Sequence, residues 1–131
     1  MKTQVYIVEG PLSEALPEWA HEGGNGALIV FYGVARPHED GQAITGLDYE
    51  AYEPMASKQL AELGDDVIEK HGLVGICVEH SSGFVGNGEC SFRLRVASKH
   101  RKEGLAGMDE FIDRMKLDVP IWKHPVYVSE D

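Results

Sequence analysis

Cysteine is scarce. Cys77 and Cys90 are the only two in 131 residues. Two thiols cannot build a disulfide framework, and these two lack zinc-knuckle spacing, so they read as free, packed thiols of a cytoplasmic protein. Long apolar runs are also missing. The longest, Gly26 to Ala35, falls well short of the roughly 20 residues that span a bilayer. The opening MKTQVYIVEG has no signal-peptide core. Membrane insertion and secretion are therefore not expected. No P-loop, GxGxxG or GxSxG occurs, which removes support for nucleotide-fold and hydrolase chemistry. Cations are in short supply too, with 12 Lys and Arg against 22 Asp and Glu, a net charge of −10.

What is present suits one domain, residues 1–131, able to bury a core without staples. The composition, 43% hydrophobic and 26% charged, is that of a folded chain. The few cations are concentrated. Residues 93–123 hold eight of them (Arg93, Arg95, Lys99, Arg101, Lys102, Arg114, Lys116 and Lys123) against five acids, leaving +3 there and −13 on the rest. An acidic body with one basic segment favours a small anionic ligand over nucleic acid, which the remaining surface would repel.

Periodicity divides the chain into short elements. Thr3 to Val8 reads as a strand, and Ser13 as the cap of a short helix reaching about His21. Gly23 to Gly26 is a turn. Ala27 to Tyr32 is continuously apolar, which predicts a central strand covered on both faces. Arg36 to Gln42 reads as a polar loop punctuated by Pro37 and Gly41. Leu47 to Tyr52 alternates, with Leu47, Tyr49 and Ala51 on one face. Helical spacing of Met55, Leu60, Leu63 and Val67 predicts a helix over Pro54 to Lys70, stopped by Gly72. Leu73–Glu79 and Ser91–Ala97 read as strands joined by a loop containing Gly83, Gly86 and Gly88. In the second, Phe92, Leu94 and Val96 point inward and Arg93 and Arg95 outward. Ser98 is the expected cap of a helix with Leu105, Met108, Phe111 or Ile112, and Met115 in its stripe. Pro120 ends that helix, and Ile121 to Val128 is extended. The order βαββαββαβ predicts an α+β fold with a mostly antiparallel sheet and packed helices.

Candidate chemistry sits in the basic segment. Ser98-Lys99-His100-Arg101 passes from a strand into a helix start, where free N–H groups and the dipole favour an anion. Cations there are unfavourable without one, which tilts the reading towards a ligand. The planar fork of Arg101 suits phosphate or carboxylate. Lys116 and Lys123 bracket Pro120. If they converge on one pocket, mutual repulsion and partial burial favour proton transfer near neutral pH. Arg36 opens a loop directly after a strand, a usual place for a ligand contact. His38-Glu39-Asp40 are adjacent in a Pro/Gly loop and match no metal-ligand spacing, so no metal is expected.

The segments GALIVFYGVAR (Gly26–Arg36), LDYEAYEPMA (Leu47–Ala56), Gly88-Glu89, SKHR (Ser98–Arg101) and KLDVPIWK (Lys116–Lys123) occur in this order. Together they resemble the large, catalytic subunit of molybdopterin synthase. The resemblance implies an α/β hammerhead-type fold, a homodimer, and pairing with a small ubiquitin-like sulfur carrier. The carrier's C-terminal Gly-Gly thiocarboxylate enters a pocket and gives sulfur to cyclic pyranopterin monophosphate; two such transfers build the dithiolene of molybdopterin. It implies no metal or organic cofactor. Carried over by motif, Arg36, His100 and Arg101 hold the pterin phosphate, some of them across the dimer interface. Lys116 stands by the thiocarboxylate and Lys123 assists.

Three departures accompany the resemblance. Ser81 follows His80 where arginine is usual, His124-Pro125 replaces a basic–acidic pair, and the sequence ends at Asp131 where many relatives continue. Two other readings remain: a non-catalytic anion-sensing module, and a scaffold that keeps the carrier interface without turnover.

Overall fold

The computed structural model describes residues 3–21 and 23–129. The elements follow as β1 (Thr3–Glu9), β2 (Ala27–Val34), β3 (His38–Glu39), β4 (Gln42–Ala51), α1 (Met55–His71), β5 (Gly75–Gly86), β6 (Cys90–Ser98), α2 (Arg101–Asp118) and β7 (Ile121–Tyr127). The α+β class and the mostly antiparallel sheet are as expected. Strand order is β2-β6-β5-β4-β3, with β7 added on β4 and β1 lying parallel on β5. β5 serves two neighbourhoods. Its first part runs between β1 and β6, and Gly83–Gly86 pairs with β4. No helix among the described residues is long and apolar enough to cross a membrane.

Both helices cover one face of the β1-β5-β6-β2 region. Leu60, Leu63 and Val67 of α1 meet Ile76 and Val78 of β5, Leu94 and Val96 of β6, and Met108, Phe111 and Met115 of α2. Each such side chain, fully buried, contributes about 1.5–3 kcal/mol. A second cluster, Ala35, Ile44, Leu47 and Val85, lies where β4 crosses the end of β5. Helix α1 matches its apolar spacing, and Gly72 closes it in the left-handed conformation with its N–H on the Ile68 carbonyl.

Helix α2 departs from the expected stripe. It approaches the sheet through Gly104 and Gly107. A Cβ at Gly104 would stand 2.8 Å from Ile29 Cδ1, and one at Gly107 2.8 Å from Leu73 Cδ1. That close approach turns Leu105 outward, 52% exposed. The cap is His100, not Ser98. Ser98 is still in β6, and its buried hydroxyl donates to the His100 carbonyl at 2.6 Å.

Five further expectations are corrected. No helix forms between Ser13 and His21. The carbonyls of Ser13 and Pro17 are taken by Arg93 Nη1 (2.9 Å) and Arg95 Nη2 (3.0 Å) instead of by helical N–H groups. Arg93 and Arg95 accordingly are not outward but 2% and 7% exposed, beneath this strap, with Arg93 in a bidentate pair with Glu79 at 2.5 and 2.6 Å. β2 is an edge strand rather than a central one, leaving Leu28, Val30, Phe31, Tyr32 and Val34 37–55% exposed. Residues 36–42 are not a plain loop. Asp40 (φ 51°) and Gly41 (φ 77°) form a two-residue turn between β3 and β4, the left-handed pair that tight hairpins require. Finally, Gly83 and Gly86 belong to β5, so the connection to β6 is only residues 87–89.

Candidate active site

A cavity of about 620 Å³ opens where the two parts of the sheet meet α2. Its walls come from the end of β2, from β3, β4, β6 and β7, and from α2 through Ile112, Met115 and Lys116. Strand register places the chemistry. On β4 the Leu47-Tyr49-Ala51 face points inward, and Tyr49 lies directly opposite Lys123 on β7. Cross-strand partners share a face, so Lys123 is carried to the cavity by pairing alone. Arg36 is held by the short connection at its back. The Ala35 N–H donates to the Glu89 carbonyl (3.0 Å), and the Gly88 N–H donates to the Ala35 carbonyl (2.8 Å). The Glu89 carboxylate accepts from the Gly86 N–H at 2.7 Å, which closes that turn.

The floor is polar and buried. Tyr49 and Ser91 share a hydrogen bond of 3.0 Å between their hydroxyls. Tyr49 stands edge-on to His80, with ring centroids 5.1 Å apart. His80 Nδ1 is 2.8 Å from the Ser81 carbonyl, which can only accept, so Nδ1 carries the proton and Nε2 keeps a lone pair. Burial pushes the His80 pKa below its ordinary value, opposed by that backbone hydrogen bond. The imidazole is thus held neutral beside a cationic rim.

Arg36, Lys116 and Lys123 all line this cavity. The two lysines differ. Lys123 Nζ pairs with the Glu39 carboxylate at 2.9 Å, while among the described residues no carboxylate is in ion-pair contact with Lys116. His100 and Arg101 lie elsewhere, exposed at the far end of α2. Fifteen residues of helix separate Arg101 from Lys116, about 22 Å. The expected cost of cations at the α2 N-terminus is met within the chain. The Glu103 carboxylate accepts from the His100 N–H at 2.7 Å, and Glu103's pKa is lowered chiefly by its own backbone N–H. That terminus therefore gives no independent reason to expect a ligand.

Sequence reasoning missed Glu39, Tyr49, His80 and Ser91 as cavity residues. The Asp40-Gly41 dipeptide is a hairpin signal that brings Glu39 into the wall. No local signal marks the other three, which meet only through strand pairing. Ser81 alternates away from His80 and is fully buried, its hydroxyl without a hydrogen-bond partner among the described residues.

Residues 9–118 match the family model described as MoaE protein. The chain belongs to that family, the molybdopterin synthase catalytic subunits. The Thermoplasma volcanium molybdopterin synthase catalytic subunit is 39% identical over 101 residues, covering 77% of this chain and 74% of that protein. The crystal structure of Staphylococcus aureus molybdopterin synthase superposes with a TM-score of 0.80 at 32% identity, over 95% of this chain and 91% of that one. A Helicobacter pylori complex of subunits 1 and 2 of molybdopterin-converting factor gives 0.72 at 26% identity, over 96% and 90%. The MoaE-like segments have physical counterparts here. LDYEAYEPMA is the β4-to-α1 passage that carries Tyr49, and PIWK opens β7 and carries Lys123.

Proposed function

We propose that this chain is the catalytic subunit of a cytoplasmic molybdopterin synthase. It transfers sulfur from the C-terminal thiocarboxylate of a small ubiquitin-like carrier to cyclic pyranopterin monophosphate, forming the dithiolene of molybdopterin. The observation that carries this reading is the convergence of Arg36, Lys116 and Lys123 on one cavity with a buried polar floor. Both reactants are anionic, and three cations around a partly desolvated space attract them and stabilise charge on the transferring group. Lys116 stands by the thiocarboxylate, where it stabilises negative charge and relays protons. Lys123 assists from the opposite wall, and Arg36 binds the phosphate. The Tyr49 and Ser91 hydroxyls and His80 Nε2 face the heterocycle from below.

His100 and Arg101 complete the phosphate site from a second copy of the chain, since their own lysines are about 22 Å away. The exposed apolar edge of β2 supports such an assembly. An uncovered strand of this composition is otherwise a liability. The carrier tail enters the same cavity; that the similar H. pylori structure is a complex of subunits 1 and 2 supports a small-subunit partner.

The test is molybdopterin formation from cyclic pyranopterin monophosphate and thiocarboxylated carrier, with wild type, Lys116→Ala and Lys123→Ala in parallel. Wild type forms product, and Lys116→Ala loses about 100-fold or more of the rate. Near wild-type turnover in both variants refutes the assignment. A folded wild type that binds carrier yet makes no product identifies the scaffold. Binding of the pterin alone, without product, identifies the anion sensor.

A further inference from the structure

Glu39 is an anomaly in the cavity as described. It puts a carboxylate on the wall of a space that, on the proposed function, must admit a phosphate and a thiocarboxylate. A fixed negative charge there opposes both ligands. It is also the more buried member of its ion pair, its side chain 17% exposed against 51% for Lys123. The hairpin explains the difference. Glu39 pairs with Gln42 across the Asp40-Gly41 turn, the Ile44 N–H donates to the Pro37 carbonyl (3.0 Å), and Asn87 Nδ2 donates to the Ile44 carbonyl (2.6 Å). The carboxylate is thus built into a braced strand end, while the lysine reaches it on a flexible four-carbon stem.

We propose that Glu39 is a positioning residue for Lys123: its hairpin-held carboxylate fixes the ammonium at the cavity wall and thereby divides labour between the two lysines. The inference rests on the proposed function for its catalytic consequence, and on the 2.9 Å ion pair for its structural one. Lys123 is held in one place by a carboxylate of its own chain. Lys116, without such a partner, is the lysine left to follow the reacting sulfur. The repulsion of anions by Glu39 is the cost of this order, so its removal has two opposed effects. Substrate binds more tightly because a negative charge is gone, and turnover slows because Lys123 wanders.

That opposition is the signature to measure. Glu39→Gln and Glu39→Ala lower KM for the pterin by about 2–5-fold, the range for a partly exposed charge, and lower kcat by about 10-fold, the cost of a misplaced group. Glu39→Asp, which keeps the charge on the same hairpin, recovers part of kcat. In a Lys123→Ala background, Glu39→Ala costs no further kcat, because its effect passes through the lysine. Additive losses in that cycle, or a raised KM with kcat unchanged, overturn the proposal.

A second readout is independent of turnover. The Lys123 side-chain methylene and ammonium resonances, assigned by their loss in Lys123→Ala, are dispersed in wild type and collapse to free-lysine positions in Glu39→Ala, while those of Lys116 stay put. Unmoved Lys123 resonances refute the positioning role. If wild type proves inactive, the functional reading fails and this spectrum still decides the fate of Glu39.

Discussion

Removing the Glu79 carboxylate tests whether the buried charge pair under the strap governs stability. Arg93 is 2% exposed and Glu79 4%, and two hydrogen bonds of 2.5 and 2.6 Å join them. Glu79→Ala leaves a guanidinium in the interior with, among the described residues, the Ser13 carbonyl at 2.9 Å as its remaining acceptor. An uncompensated buried charge costs about 3–5 kcal/mol, a large share of the 5–15 kcal/mol that holds an ordinary domain. The expected fall in Tm is about 10–20 °C. Thermal melts followed by circular dichroism measure it, and urea unfolding measures the free energy, with Glu79→Leu/Arg93→Met as the control. The double variant removes both charges and keeps the volume, so it returns to within about 1–2 kcal/mol of wild type. The residual loss is the Ser13 carbonyl without its donor. A loss below about 1 kcal/mol in Glu79→Ala, or a double variant as unstable as the single, refutes the reasoning.

Other expectations concern acid, packing and the cavity floor. Glu110 accepts from Lys70, His71 and Arg114, which holds its pKa down to about 2 from 4.5. The stabilisation is present above the unfolded value and is lost as pH falls through about 2. Wild type and Glu110→Gln therefore differ in urea midpoint at pH 6 and converge towards pH 2; a constant difference contradicts the assignment. His80 is held neutral by burial, so the unfolded chain takes up its proton first and stability declines as pH drops below about 6.5. His80→Gln flattens that part of the profile, and an NMR titration of His80 with an ordinary midpoint rules the account out. Gly104→Val forces new atoms against Ile29 and Ser98 and destabilises by about 1–3 kcal/mol; an unchanged urea midpoint means α2 sits farther from the sheet.

Some of this was legible in the sequence, and the failures have specific causes. Alternation in β6 identified Phe92, Leu94 and Val96 as core, because those residues meet the helices. The same alternation sent Arg93 and Arg95 outward, since charge ordinarily means solvent. It could not register that Glu79 lies opposite Arg93 on the neighbouring strand, or that residues 10–21 close over both. The apolar run in β2 reports that Leu28 to Val34 need cover, not what covers them, and a second chain answers that need as well as a central position does. Lys116 and Lys123 were recognisable through their motif, but their convergence depends on the register of β7 on β4. Tyr49, His80 and Ser91 come from three strands and have no common spacing to detect. At the N-terminus of α2 the sequence pattern did not disclose that the Glu103 carboxylate accepts from the His100 N–H.

The two-sided pairing of β5 also sets a gradient of mobility through the cavity. Residues 76–80 are hydrogen-bonded to β1 on one edge and β6 on the other, so the backbone beneath His80 opens only when the sheet itself opens. The rim is made of a two-residue strand, the outer strand β7 and the outer strand β2, each paired on one edge alone among the described residues. Amide exchange is consequently slowest at the floor and fastest around the mouth. Any ligand entering this cavity meets a yielding entrance over an unyielding base, so local breathing governs how fast it enters and leaves without disturbing the groups at the floor.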